Sequence, residues 1–376
     1  MTFASIPGLG EVKRQLIDSV QSNHLAHALL FAGKNGSLSL PMALAFAQYL
    51  HCQNKNGTDA CGTCAACSKS SKYIHPDTHF VFPQNNVKND KDEDRFRSEI
   101  LKQWRSFLLE QPFGNLGDWV SFYGGEDKQA LIAREESRDI VRALSLKSFE
   151  SSVKIMIIWL PELMHTSAAN GILKILEEPP PQTFFLLVTQ TAEQLLPTIL
   201  SRTQSVHIPQ LQDADIDEFL KTKHAVEEDK RHNIVQLAEG DLNFALKLID
   251  SEEDHHQTRF FDWMRACYNF QKDAAKLIAL SDEFHELDKL TQRNLLMYGL
   301  SMMREALLYI AEADKISRIK GAEETFIKNF SKHLNISKTE TISRLMNDAQ
   351  YHLERNGSAK MIFMNLSLQI GKTINP

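Results

Sequence analysis

At 376 residues, with 43% hydrophobic and 24% charged side chains, the chain has the composition of soluble globular protein and the length for two or three domains. A formal net charge of −6 argues against binding polyanions through bulk charge, while leaving room for a local basic face. No apolar run approaches the roughly 18 residues of a membrane span, and the start, MTFASIPGLGEVKRQ, lacks the basic opening and apolar core of a signal peptide, so the expectation is a cytoplasmic protein.

In chain order, residues 9–23 read as an amphipathic helix with Leu9, Val12, Leu16, Ile17 and Val20 on one stripe. Ala28–Ala32 is a short apolar strand, and Leu40–His51 has helical spacing. Strand, glycine-containing turn and helix are the frame of a phosphate-binding loop. Such a loop needs Gly-Lys-Ser/Thr at its end: the glycine lets backbone amides approach, the lysine neutralises the β/γ-phosphates, and the hydroxyl binds Mg²⁺. This chain has Leu38, Ser39 and Leu40 there. Gly33 and Gly36 remain, and serve the tight turn alone.

Four of the five cysteines then fall within sixteen residues, as Cys52-x8-Cys61-x2-Cys64-x2-Cys67. Such crowding suits a metal site in a reducing compartment better than a disulfide framework. Four thiolates at about 2.3 Å complete a tetrahedral zinc shell with no position open for water, so the expected site is structural. An iron–sulfur cluster is the alternative, and unrelated reduced thiols the blander one. Cys267 stands apart and is expected to be a buried core thiol. His24, His27 and His75 lack ligand spacing and are read as core or surface residues.

Residues 84–97, QNNVKNDKDEDRFR, are read as an exposed loop. Arg134–Leu146 is a predicted helix, Lys154–Trp159 a fully buried strand, and Ser167–Glu178 a helix stopped by Pro179, Pro180 and Pro181. Thr183–Thr189 is another buried strand. Strands alternating with helices imply a parallel α/β sheet. Beyond about residue 210 only helical periodicity remains: a small unit over 213–250 with a turn at Gly240-Asp241, then longer amphipathic helices over 255–376. Phe260, Phe261, Met264, Cys267 and Tyr268 form a stripe read as core.

The run from Lys154 to Gln204 resembles the clamp-loader subunits of bacterial DNA polymerase III, members of the AAA+ superfamily. Their Leu-Lys-x-Leu-Glu-Glu-Pro-Pro signature stands at Leu173 to Pro180, and their Ser-Arg-Cys box as Ser201-Arg202-Thr203. The His-Ala-x-Leu-Phe lead-in to the phosphate loop is at His27–Phe31, and His75-Pro76-Asp77 is similar to the segment that follows the family's zinc module. The resemblance is dense over 1–205, weaker over 206–250 and faint after 255, although Asn356 to Leu368 still looks like the family's last helix. It implies an AAA+ α/β (P-loop NTPase-like) domain over 1–209 with the zinc module at 52–67, a small helical lid domain over 210–252, and an all-α oligomerisation collar over 253–376.

Departures from the family pattern imply the role. ATP-hydrolysing members end the strand matching Lys154–Trp159 in Asp-Glu, which hold Mg²⁺ and activate water; here those places hold Trp159 and Leu160. The lid arginine that would touch nucleotide is replaced by Asn243. Taken with Gly33, Gly36, Ser39 and Leu40, the resemblance implies a degenerate site that binds no ATP, in a stator subunit without ATPase activity. Arg202 is retained, and the family's Ser-Arg box faces a neighbour's nucleotide, where a trans-acting arginine is worth about 10³–10⁵ in rate; the blander reading is a helix-end arginine in a surface ion pair. Implied partners are the ATPase subunits and the clamp-opening subunit, with primer–template DNA reached through the complex and no membrane. Glu177 and Glu178 point about 100° apart on a helix and are read as packing or pairing at a subunit boundary, with Lys174 either an i,i+4 partner for Glu178 or a contact to a neighbouring subunit. Two other functions compete. One is a divergent AAA+ ATPase borrowing Lys34, which lies five positions early. The other is a zinc-containing nucleic-acid-binding module, opposed by the acidic charge and the lack of a basic-aromatic stripe.

Overall fold

Strands β1 (Ala28–Ala32), β2 (Thr78–Val81), β3 (Lys154–Trp159), β4 (Thr183–Thr189) and β5 (Gln204–His207) form one parallel sheet in the order β2-β3-β4-β1-β5. The register sets Leu30 beside Leu187 and Trp159 beside Val188. This is a computed structural model, and it describes residues 1–85, 93–125, 129–145, 147–249, 256–313, 317, 319, 321–354 and 357–375. Expectations that fall on residues 86–92, Leu146, the junction at 250–255 and Asn356 lie outside the described residues.

β1, β3 and β4 are apolar along both faces because helices cover both. On one face Leu30, Met156, Ile158, Phe185 and Leu187 pack with α6 (Glu136–Ser145), α7 (Thr166–Glu177) and α8 (Pro197–Leu200) through Ile140, Leu144, Ile172, Leu176 and Ile199. On the other, Phe31 meets Phe46 of α2 (Ser39–His51), with ring centroids 6.2 Å apart. Helix α1 (Gly10–Gln21) buries Val12, Leu16 and Ile17. Leu9 precedes it in the left-handed conformation (φ 55°), so the expected stripe starts one turn later than its first member. α3 (Ala65–Ser70) follows the cysteine cluster.

The loop expected over 84–97 is corrected: from Glu93 the chain is helical, as α4 (Glu93–Glu110), followed by α5 (Leu116–Phe122). Ile100, Trp104, Phe107 and Leu108 are buried at i, i+4, i+7 and i+8, a spacing that secures one helix face whatever the charge upstream. β2 and β5 are also additions to the sequence reading.

Helices α9 (Asp213–His224), α10 (Glu228–Ala238) and α11 (Leu242–Ile249) complete a first compact unit, Met1–Ile249. Gly240 (φ 93°) and Asp241, whose amide donates to the Ala238 carbonyl, make the turn between α10 and α11. The second unit, Asp250–Pro376, is all helix in its described elements: α12 (His256–Tyr268), α13 (Ala274–Glu286), α14 (Lys289–Ile310), α15 (Ala322–Phe330), α16 (Ile336–Glu354) and α17 (Ala359–Ile374). Phe260, Trp263, Met264 and Cys267 form its α12 core stripe, and burial pushes the Cys267 thiol up. Tyr268 is a correction: at 36% exposure it sits beside the stripe, against His333. Phe261 is half-buried and stacks on Phe326, with centroids 4.0 Å apart. Among the described residues no helix is long and apolar enough to cross a membrane.

Candidate functional site

The loop at Gly33–Leu40 leaves the carboxyl end of β1, where open α/β sheets bind ligands. Gly33 is required by crowding: a Cβ there would lie 2.3 Å from Ser37 Oγ and 2.6 Å from the Ile208 carbonyl oxygen. Gly36 is required by conformation as well, since its φ is +84° and a Cβ would meet the Asp241 side chain at 2.7 Å. Thus the turn between α10 and α11 lies against the loop. Leu38, Ser39 and Leu40 are all buried, and the Ser39 hydroxyl bonds that of Ser37 at 2.8 Å. Lys34 is exposed.

Trp159, at the end of β3, is 2% exposed. Its ring centroid lies 5.0 Å from that of Trp104 on α4. Trp104 in turn stacks on Phe82 and stands edge-on to Trp119 of α5, 5.0 Å away. The Trp119 indole N–H donates to the Pro83 carbonyl at 2.8 Å, which satisfies its one polar atom. Leu160 is buried in the left-handed conformation (φ 56°), fixed by its amide donating to Val188 and its carbonyl accepting from Leu163. Asn243 on α11 donates through Nδ2 to Asp118 Oδ2 at 2.7 Å, and Lys247, one turn on, forms an ion pair with the other oxygen of Asp118. Asp118 also belongs to a reciprocal capping box with Asn115 at the start of α5.

The four cysteines converge as their spacing requires: the Sγ atoms of Cys52, Cys61, Cys64 and Cys67 all lie within 4.8 Å of one another. Cys61 and Cys67 sulfurs are 3.9 Å apart, close to the roughly 3.8 Å edge of a tetrahedron with 2.3 Å Zn–S bonds. Backbone amides of Cys61, Cys64 and Cys67 donate to the sulfurs of Cys52, Cys61 and Cys64 at 3.2, 3.3 and 3.4 Å. Amide donation from Thr63 and Cys64 brings the Cys61 thiol down to about 6, while burial pushes the Cys67 thiol up. The donor set and the convergence fit zinc. Asp59, inside the module, accepts from the amides of Phe3, Ala4 and Ala60 and so ties the amino-terminal residues to it.

Arg202 lies just past α8. Its Nε donates to Glu177 Oε1 at 2.7 Å and its Nη1 to the Thr198 carbonyl at 2.7 Å, with the side chain 29% exposed. The ion pair joins the end of the Glu-Glu-Pro-Pro helix to the Ser-Arg box. His27 bonds the Leu176 carbonyl at 2.8 Å, and His75 stacks on His51 with ring centroids 3.8 Å apart, so neither is a ligand of the cysteine cluster. Asp118, Trp104 and Trp119 were not foreseen; the α4 stripe was the available signal.

A family model described as DNA polymerase III, delta subunit, matches residues 8–212, more than half of the chain. The chain belongs to that family. Among its relatives is the DNA polymerase III subunit delta-prime of Bacillus subtilis (strain 168), 25% identical over 275 residues, covering 73% of this chain and 64% of that protein. The delta-prime subunit of Escherichia coli (strain K12) is 24% identical over 238 residues, covering 63% and 59%. These relatives mark the chain as a delta-prime-type member. The tau/gamma subunit of Haemophilus influenzae is 24% identical over 254 residues, covering 66% of this chain and 30% of that protein. The chain spans less than two thirds of the length of each of these relatives. A solved DNA polymerase III gamma subunit-related protein from Thermotoga maritima aligns over 96% of this chain and 99% of its own, with 15% identity and a TM-score of 0.42.

Proposed function

We propose that this delta-prime-type chain is a non-catalytic stator subunit of a DNA polymerase III clamp loader, taking part in ATP-dependent loading of the sliding clamp without binding ATP itself. The observation that carries the reading is Trp159: at the place of a metal-holding aspartate it is an aromatic side chain walled in by Trp104, 5.0 Å away. Burial of Ser39 and Leu40 and the engagement of Asn243 by Asp118 support it, since none of these groups can hold phosphate or Mg²⁺ as they stand. The cysteines at 52–67 hold structural zinc, 210–252 forms the lid, and 253–376 forms the oligomerisation collar. Arg202 acts in trans on the ATP of a neighbouring ATPase subunit, exchanging Glu177 for the γ-phosphate on assembly. Other clamp-loader subunits are its partners, primer–template DNA is reached through the complex, and the site of action is the cytoplasm. Equilibrium binding of labelled ATP to the isolated chain tests the core of this: the expected result is no saturable site, and micromolar affinity overturns it.

A further inference from the structure

The geometry points to a resident cover for the lost nucleotide site: we propose that α4 and α5 together close it, α4 over Trp159 and α5 through the Asp118 carboxylate that ties the lid helix α11 to the core. This rests on the non-catalytic reading above and specifies what closes the site. Of the positions at which that reading finds nucleotide chemistry missing, Trp159 packs against Trp104 of α4 and Asn243 bonds Asp118 of α5, two helices consecutive in the chain. Asn243 Nδ2 donates to Asp118 Oδ2 at 2.7 Å, and Lys247 pairs with the other oxygen. The next residue, Trp119, is fully buried and reaches Trp159 through Trp104, each ring step being 5.0 Å.

Chemically the tie is apt. A carboxylate offers two anionic acceptors, and here one meets an amide and the other an ammonium. Asp118 is only 13% exposed, so water competes little for those bonds. The segment is fixed rather than loosely draped. The Asn115–Asp118 box holds its amino end, the Asn85 amide donates to Tyr123 Oη at 3.2 Å near its carboxyl end, and Phe113 stands edge-on to Phe219 of α9. The lid helices are thereby held on the α/β core in one arrangement that ATP cannot adjust, which suits a rigid member of a moving assembly.

Hydrogen exchange of the full chain tests this, comparing wild type with Asn243→Ala, Lys247→Ala and the double variant. All three leave the Asn115–Asp118 box untouched, so α5 keeps its own cap. The expected result is that α5 and α11 lose protection together in the double variant, by about tenfold or more, while β1 and β4 are unchanged. If α11 loosens and α5 does not follow, or neither moves, the cover is wrong even though the non-catalytic reading stands. Micromolar ATP binding by the wild-type chain overturns both.

Discussion

Restoring the carboxylate at Trp159 should unfold the site rather than revive it. Trp159 is 2% exposed, pairs across the sheet with Val188 and faces Trp104 at 5.0 Å. Truncating a buried tryptophan costs about 3–5 kcal/mol. A buried carboxylate without a partner adds about 1–3 kcal/mol more. Trp159→Asp should therefore lose on the order of 5 kcal/mol, a large share of the ~5–15 kcal/mol typical of a domain. With a urea dependence of about 3 kcal/mol per molar, the unfolding midpoint falls by roughly 1.7 M. Far-UV circular dichroism is the readout, because the substitution removes a fluorophore. Trp159→Phe keeps most of the ring contact and should cost far less. A Trp159→Asp midpoint within about 10% of wild type would refute the packed-wall account. So would a midpoint that rises with Mg-ATP, since ligand that binds only the folded state stabilises it by mass action.

Metal analysis should return about one zinc per chain, lost from a Cys61→Ser, Cys64→Ser double variant. Because Asp59 in the module binds the amides of Phe3 and Ala4, that loss should also expose the amino-terminal residues to limited proteolysis. Asp77 carries a pH prediction. Burial acts to raise its pKa, but amides of Phe149, Ser151 and Glu150, at 2.5, 2.8 and 2.8 Å, outweigh it and leave the carboxyl below the usual range. A depressed folded pKa gives stability that is present above the unfolded value, about 3.9, and lost as pH falls through the folded one. Asp77→Ala should cost about 1–3 kcal/mol at pH 7, with a gap from wild type that narrows below about pH 4. A gap of constant size, read by urea titration at both pH values, contradicts this.

The central strands were legible because β1, β3 and β4 are continuous apolar runs buried on both faces. β2 and β5 are the sheet's edges, each four residues long and mixed in polarity (THFV and QSVH), so neither shows a period strong enough to read. The acidic stretch before α4 masked a helix whose apolar stripe begins only at Ile100. At the site, Leu38, Ser39 and Leu40 in place of Gly-Lys-Ser/Thr could be read directly, and the cysteine convergence followed from the spacing. The tie between α5 and α11 could not be read. Asp118 meets Asn243 across 125 positions of sequence, and nothing local distinguishes it from an ordinary helix-capping acid. Arg202 and Glu177 were each singled out, but their pairing depends on α7 and α8 being neighbours in the fold.

The claim that the chemistry has moved outward from this chain is tested most directly by co-purifying it, as wild type and as Arg202→Ala, with its candidate ATPase subunit. DNA-dependent ATP hydrolysis by the two complexes is then compared. Arg202 is partly exposed and its bonds in this unit are to Glu177, Ser201 and Thr198, so its removal should leave folding and assembly intact. The account predicts equal recovery of both complexes and a marked fall in turnover for the variant. Equal recovery with unchanged turnover would contradict it.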